Sequence, residues 1–193
     1  AKVLEAIRGL AERTDETLLY EAAREADGVL EHLRASAVVE QAEVGGDLRR
    51  RRETVTRIDV VMASKKPADA LDHAVGFGLA TNLLARDAAS ATVRIAAGIT
   101  VGIEVVPPAR FAAAWHRSTG TEAHRAKLAV VAEARGFALD DSGLTKGGRR
   151  VPLAAEADLY RHLGLPYIPP EMREDAGEVE AAVRGTLPDD LVT

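Results

Sequence analysis

A glycine turn, a block of four arginines and an alternating segment follow one another between Gly45 and Val61. After the arginines, successive side chains fall on opposite faces, as they do in a β-strand. The pattern predicts a strand over residues 54–61. One face of that strand would carry Val55, Arg57, Asp59 and Val61.

Asp59 is the candidate catalytic residue of this segment. In nucleotidyl transfer, a glycine backbone and an arginine hold a triphosphate, and carboxylates on a strand hold the metal ions. Two carboxylates are expected on such a strand, and this one has a single acid. The other interpretation is an edge strand that follows a solvated basic turn, and the spacing alone leaves both open.

Length and composition limit the alternatives. A chain of 193 residues with 47% hydrophobic residues predicts one domain or two small ones with a real core. The absence of cysteine excludes disulfides and thiolate metal sites and fits a reducing cytoplasm. No signal peptide and no apolar run of about 18 residues is present, so we expect a cytoplasmic protein without a membrane partner.

Positive charge is concentrated in one place although the formal net charge is −5. Residues 41–66 hold seven Lys or Arg and four Asp or Glu, a local charge of +3. A nucleic-acid partner would have to use such a local excess.

Periodicity predicts helices and strands along the whole chain. The expected helices cover residues 1–14, 15–35, 69–79, 110–118, 121–135, 154–163 and 177–185. Thr14 or Asp15 is the expected N-cap of the second helix, and Pro67 is expected at the first position of the third. The expected strands cover residues 38–44, 54–61, 83–86, 91–95 and 100–106, with short strands between 137 and 153. Pro107-Pro108 is the candidate boundary between two subdomains.

The chain resembles the palm and thumb of bacterial family X DNA polymerases, relatives of DNA polymerase beta. Four sets of residues carry the resemblance. The palm motif is matched by Gly46, Leu48, Arg49, Arg50, Glu53, Thr54, Val55, Ile58 and Asp59. The thumb is matched by Ser118-Thr119-Gly120-Thr121 with His124, by residues 134–139 with Gly143-Leu144, and by residues 160–182, the most specific stretch.

The resemblance implies a mixed α/β (α+β) fold, with a nucleotidyltransferase-type palm sheet flanked by helices and followed by a small α+β thumb. The implied divisions are residues 1–14, the end of a preceding helical region; 15–108, the palm; and 109–193, the thumb. Bacterial members also carry helix-hairpin-helix domains before this region and a PHP nuclease domain after it, which are the implied partners in a longer protein.

The resemblance also implies the site residues. Asp59 is the catalytic and metal-binding position. Contacts to a nucleotide or its phosphates are implied for Gly46, Arg50, Thr119, Gly120 and Arg125. DNA contacts are implied for Arg49, Arg51, Lys146, Arg149 and Arg150.

Several site positions depart from the family pattern. The two aspartates that accompany Asp59 in the family align with Arg57 and Gly102. The phosphate-contacting serine aligns with Asp47, a glycine near the phosphates aligns with Thr56, and the thumb asparagine aligns with Arg125. The Mg²⁺ or Mn²⁺ that the family implies is therefore expected to bind weakly or not at all.

The leading hypothesis is the palm–thumb module of a repair DNA polymerase whose chemistry is impaired or lost. The family reaction is template-directed transfer of a deoxynucleotide from its triphosphate to a primer 3′-hydroxyl. The alternatives are a non-catalytic DNA-binding scaffold that positions a nuclease domain, and a nucleotide-binding module without chemistry. We also expect Arg57 to pair with Asp59, with Glu104, or with both, because an unpaired inward charge is costly.

Overall fold

A five-stranded mixed sheet is the centre of the computed structural model, which describes residues 16–188. The strands are β2 (Gln41–Val44), β4 (Ile58–Ala63), β5 (Ala80–Arg86), β6 (Ser90–Ile95) and β7 (Thr100–Val106). Their spatial order is β2-β4-β7-β6-β5. We call the part built on this sheet, residues 17–106, the palm.

Helices pack on one face of the palm sheet. They are α1 (Leu19–Arg34) and α3 (Pro67–Val75), and a short helix, α2 (Gly46–Arg49), joins β2 to the loop that follows. Alternate β4 residues Ile58, Val60 and Met62 are buried in the same core as the apolar faces of α1 and α3. The other side of β4 presents Asp59 and Val61, and Val61 packs in a second, smaller cluster with Phe111.

β4 and β7 are parallel neighbours, whereas the β2–β4 and β6–β7 pairs are antiparallel. The register places Asp59 directly beside Gly102. Residues that are 43 positions apart in the sequence therefore meet at the middle of the sheet.

The C-terminal part, residues 108–184, which we call the thumb, is built around a second hydrophobic core. Its helices are α4 (Phe111–Thr119), α5 (Glu122–Ala134), α6 (Glu156–His162) and α7 (Glu178–Arg184), with 3₁₀ turns at Pro108–Arg110 and Pro170–Met172. Three short strands form a separate sheet: β8 (Ala138–Asp140), β9 (Gly143–Lys146) and β10 (Arg149–Arg150). Its core includes Leu128, Leu144, Leu159, Leu163 and Ile168.

The mixed α/β class predicted from the sequence is confirmed, and so are the limits of β7 and the proline at the start of α3. The segment predicted as one strand over 54–61 is instead two strands, interrupted at residues 56 and 57. Thr54–Val55 is a separate strand, β3, which pairs with β1 (Thr17–Leu18). β4 begins only at Ile58, so Arg57 precedes the strand.

Other element boundaries also differ from the predictions. The helix predicted over residues 15–35 begins only at Leu19, because Thr17–Leu18 pairs with β3 as a strand. Its N-cap is therefore Leu18, and the predicted N-cap, Thr14 or Asp15, is wrong. The strand predicted over 38–44 begins at Gln41, and the helix predicted to end at residue 79 ends at Val75. The helix predicted over residues 1–14 lies outside the described part. No helix between residues 16 and 188 is long and apolar enough to cross a bilayer.

Candidate active-site cleft and the palm–thumb clasp

An open cleft of about 560 Å³ separates the palm sheet from the turn between α4 and α5. β4 and β7 supply one wall, and the thumb supplies the other. The polar residues of the cleft that concern the predicted chemistry are Arg57, Asp59, Glu104, Arg117, Ser118 and Arg125. The predicted catalytic residue therefore lies where palm and thumb face each other.

Asp59 is bound by Arg57. The Arg57 Nε atom donates to Asp59 Oδ1 at 2.6 Å, and Arg57 Nη2 lies within ion-pair distance of the same oxygen, at 2.5 Å. The predicted pairing of Arg57 with an acid is confirmed for Asp59. Because the Arg57 side chain is 49% exposed, the pair contributes only about 0–1 kcal/mol to stability.

Two glycines make room for this pair. A Cβ atom on Gly102 would lie 2.0 Å from Arg57 Nη2, and one on Gly46 would lie 2.4 Å from Asp59 Oδ2. Gly46 also has a φ of +56°, a conformation that favours glycine. Burial raises the pKa of Asp59, and the attraction of Arg57 offsets this only in part. The carboxylate is thus enclosed by backbone on one side and a guanidinium on the other.

Glu104 does not share in the Arg57 pair. Its register partner on β4 is Val61, two residues beyond Asp59, and its carboxylate accepts a hydrogen bond from Arg117 of α4. Of the two acids predicted as partners, Arg57 therefore pairs with Asp59 and not with Glu104. The Arg117–Glu104 ion pair instead links the thumb to β7.

The residues around Asp59 do not fit the divalent metal ions that the family resemblance implies. Gly102 offers no side-chain ligand, and the space beside it holds a guanidinium that repels cations. In residues 16–188, no three side chains of the Asp, Glu or His type cluster as a metal site. A hard divalent ion prefers about six oxygen ligands, and a single carboxylate leaves most of them to water.

The arginine block is turned toward the thumb. Arg49 donates from both terminal nitrogens to the two carboxylate oxygens of Glu156, at 2.8 and 2.5 Å, and also reaches Thr119 Oγ1 at 2.7 Å. Its guanidinium stacks on the Trp115 ring at 3.5 Å. The side chain is only 11% exposed, so its predicted DNA contact gains no support from this arrangement.

The other three arginines also pair with thumb acids. Arg50 Nε donates to Glu174 at 2.7 Å, and its Nη1 donates to the Thr119 carbonyl oxygen at 2.5 Å. Arg51 pairs with Glu171 at 3.0 Å and Arg52 with Glu174 at 3.8 Å. We call the pairs of Arg49–Arg52 with Glu156, Glu171 and Glu174 the palm–thumb clasp. The sequence pattern did not identify these acids as partners, since they lie more than 100 positions from the arginines and carry no local signal.

Glu156 is the most buried acid of the clasp. It also accepts a hydrogen bond from the fully buried Arg173, at 2.9 Å. Burial alone would raise the pKa of Glu156, but the hydrogen bond from Arg49 and the charge of Arg173 outweigh it and lower the pKa to about 2. Glu156 is therefore a fixed anion that holds two arginines.

The remaining predicted residues fall into two groups. Gly120 and Arg125 line the cleft, and Arg125 also pairs with Asp141 at 3.3 Å, whereas Thr119 is buried beneath them. Lys146, Arg149 and Arg150 lie exposed on the β9–β10 hairpin and do not line the cleft. The structure thus brings Asp59, Gly120 and Arg125 together and leaves the hairpin cations elsewhere.

Comparison with known proteins agrees with this architecture. The family model for the DNA polymerase beta thumb matches residues 114–174, which run from α4 to the end of the clasp acids. The DNA polymerase/3'-5' exonuclease PolX of Bacillus subtilis is 27% identical over 183 residues. That match covers 93% of this chain but only 32% of the relative, so the chain spans about a third of that protein's length. Residues 114–174 therefore match the thumb of DNA polymerase beta, and both comparisons support the predicted resemblance of this chain to the palm and thumb region of family X DNA polymerases.

Proposed function

We propose that this chain is a palm–thumb module in which nucleotidyl transfer is severely impaired. The observation that carries the proposal is the Arg57 guanidinium bonded to Asp59 over Gly102. Family X polymerases generally depend on divalent metal ions, and here a fixed organic cation holds the one carboxylate of the strand. Nucleotidyl transfer depends chiefly on the positioning of the reactants and on the stabilisation of developing charge. A guanidinium in the place of metal ions therefore removes the main source of rate acceleration.

Two neighbouring features are also unfavourable for a bound triphosphate. Asp47 puts a carboxylate next to Arg50, and the two side chains pair with each other. Arg50 has its remaining nitrogens bonded to Glu174 and to the Thr119 carbonyl oxygen. The arginine that the resemblance assigns to phosphate binding is thus engaged inside the protein.

Primer extension tests the proposal. The chain is incubated with a primed template and all four deoxynucleoside triphosphates, in Mg²⁺ and separately in Mn²⁺, with the Bacillus subtilis relative as positive control. We expect extension at least about a thousandfold slower than the control, as is typical when electrostatic stabilisation is lost. Extension at a rate comparable to the control would overturn the proposal.

A DNA-binding scaffold is the second candidate function, and the β9–β10 hairpin favours it. Lys146, Arg149 and Arg150 are exposed, and none has an ion-pair partner among the described residues. Unpaired cations on a surface hairpin are suited to the phosphate backbone. In this role the module would grip DNA in the cytoplasm and position a nuclease domain of a longer protein. Binding of a labelled duplex at low salt is expected, and the lack of it would count against this role.

A further inference from the structure

The palm–thumb clasp consists of a buried half and an exposed half. The side chains of Arg49 and Arg50 are almost fully enclosed, and their terminal nitrogens are bonded inside the protein. The side chains of Arg51 and Arg52 are 74% and 58% exposed. The exposed half therefore contributes little to holding the two parts together.

Arg51 and Arg52 use only part of their donor capacity. The ion-pair contact of each with its acid is through Nε, at 3.0 Å for Arg51 with Glu171 and 3.8 Å for Arg52 with Glu174. Within the described chain, no hydrogen bond uses the Nη1 or Nη2 atoms of either residue. Four guanidinium nitrogens are left that can donate to a further anion.

These groups line an open groove of about 630 Å³ together with Arg50, Glu53 and Thr54. Arg51, one of the residues that line the groove, has a φ of +58°, an uncommon conformation for a residue other than glycine. The turn thus keeps both arginine side chains at one opening, facing the carboxylates of Glu171 and Glu174.

We propose that this groove binds a phosphodiester backbone, and that the nucleic acid displaces Glu171 from Arg51 and Glu174 from Arg52, while Glu174 keeps its hydrogen bond from the buried Arg50. A carboxylate and a phosphate present similar oxygen pairs to a guanidinium, and phosphate accepts bidentate hydrogen bonds from it. Because the Arg51 and Arg52 pairs are weak and exposed, a polyanion that releases counterions can replace them. The buried Arg49–Glu156 contact stays closed during the exchange. The inference rests on the proposed DNA-binding role, and it identifies a second contact surface beside the β9–β10 hairpin.

The test replaces the two carboxylates by amides, which removes their negative charge and keeps the size of the side chains. Binding of a fluorescent single-stranded oligodeoxynucleotide is followed by anisotropy from about 25 to 200 mM salt, for the wild type and for the Glu171→Gln/Glu174→Gln variant. We expect the variant to bind about tenfold more tightly at the lowest salt. The control is Glu40→Gln/Glu43→Gln, which changes the net charge equally but removes exposed acids that pair with Lys65 and Arg34. It should gain less than about threefold.

A second pair of variants keeps the test decisive if the double glutamine variant folds poorly. Glu171→Gln alone leaves the Arg50–Glu174 contact intact and should still gain affinity. Arg51→Ala/Arg52→Ala should weaken binding and make the salt dependence shallower by about 1.4, the value expected when two single-strand phosphate contacts are lost. An RNA oligonucleotide of the same sequence should respond in the same way, since the site contacts phosphates.

The outcomes separate the two proposals. If the wild type binds DNA and the glutamine variants bind no more tightly than the control, the displaced-anion inference is overturned and the DNA-binding role survives. If neither the wild type nor any variant binds at the lowest salt, the DNA-binding role itself is overturned, and this site with it. Tighter binding by the glutamine variants supports the inference even where wild-type binding is weak.

Discussion

The guanidinium of Arg57 occupies the space that a side chain at Gly102 would need. Arg57 Nη2 lies 2.0 Å from the position of a Cβ atom on residue 102, and the Arg57 Cζ lies 2.8 Å from it. No two non-bonded heavy atoms come so close, so a side chain at 102 and this placement of Arg57 exclude each other. The effect of a substitution at residue 102 therefore depends on which side chain is present at residue 57, and the reverse also holds.

Gly102→Ala should displace Arg57 from Asp59 and lower the free energy of unfolding by about 1 kcal/mol. The same substitution in a protein that already carries Arg57→Ala should lower it much less. The displaced guanidinium loses its ion pair, while the shortened side chain leaves room for the methyl group. Urea unfolding of the four proteins of this cycle gives the coupling. Equal costs in both backgrounds would show that Arg57 does not lie against residue 102.

Arg57→Asp/Gly102→Asp should create a Mn²⁺ site that the wild type lacks. The carboxylate at position 102 would lie beside Asp59 in the β4–β7 register, and the one at position 57 would lie two residues before Asp59, so that both could supply oxygen ligands for a hard cation. Arg57→Asp alone should bind Mn²⁺ much more weakly and should not restore polymerisation, since position 102 then still lacks a ligand. Calorimetric titration with Mn²⁺ measures the difference, and tight binding by the wild type would contradict the argument.

Removal of the hairpin cations should weaken binding to duplex DNA without unfolding the protein. In the Lys146→Ala/Arg149→Ala/Arg150→Ala variant, the slope of log affinity against log salt should become shallower by about 2.7, for three lost phosphate contacts. Arg50→Ala, by contrast, should act mainly on stability, because its guanidinium is bonded to Glu174 and Thr119. A larger loss of affinity in Arg50→Ala than in the hairpin variant would restore the phosphate role predicted for Arg50.

Acid should weaken the protein through Glu156. Its pKa is about 2 in the folded chain and 4.5 ordinarily, so its stabilisation is complete above about pH 4.5 and is lost as the pH falls through about 2. The shift corresponds to roughly 3 kcal/mol. Glu156→Gln should cost a similar amount at pH 7, because Arg49 and Arg173 then lose their counter-charge in a buried place.

Glu171→Gln serves as the control for this measurement. It removes one exposed partner of Arg51 and should change the unfolding free energy by less than about 1 kcal/mol. Urea unfolding of both variants and of the wild type at pH 7 and pH 2 separates the two effects. A loss in Glu156→Gln that is as large at pH 2 as at pH 7 would contradict the assigned charge of Glu156.

The mixed α/β class was predicted correctly, because helix and strand periodicity is local to each segment. The spatial order of the strands was not predicted, since it depends on pairing between distant segments. The sequence predicted the Arg57–Asp59 pair because the two residues are neighbours on the same chain segment. It did not predict that Glu104 would turn to Arg117, since strand register and helix position decide that contact. It also assigned Arg49 and Arg51 to DNA and Arg50 to a nucleotide phosphate, because acids more than 100 residues away leave no trace in a local pattern.

One feature of the clasp has a consequence for how the molecule unfolds. Four consecutive arginines of a single palm turn reach acids on α6 and on the segment before α7, and Trp115 of α4 donates to the Val44 carbonyl oxygen of β2 at 2.7 Å. If either the palm or the thumb unfolded alone, buried charged side chains of the other part would lose their ion-pair partners. Palm and thumb should therefore lose their structure in a single cooperative calorimetric transition, and a thumb transplanted from a relative with different acids should uncouple the two into separate steps.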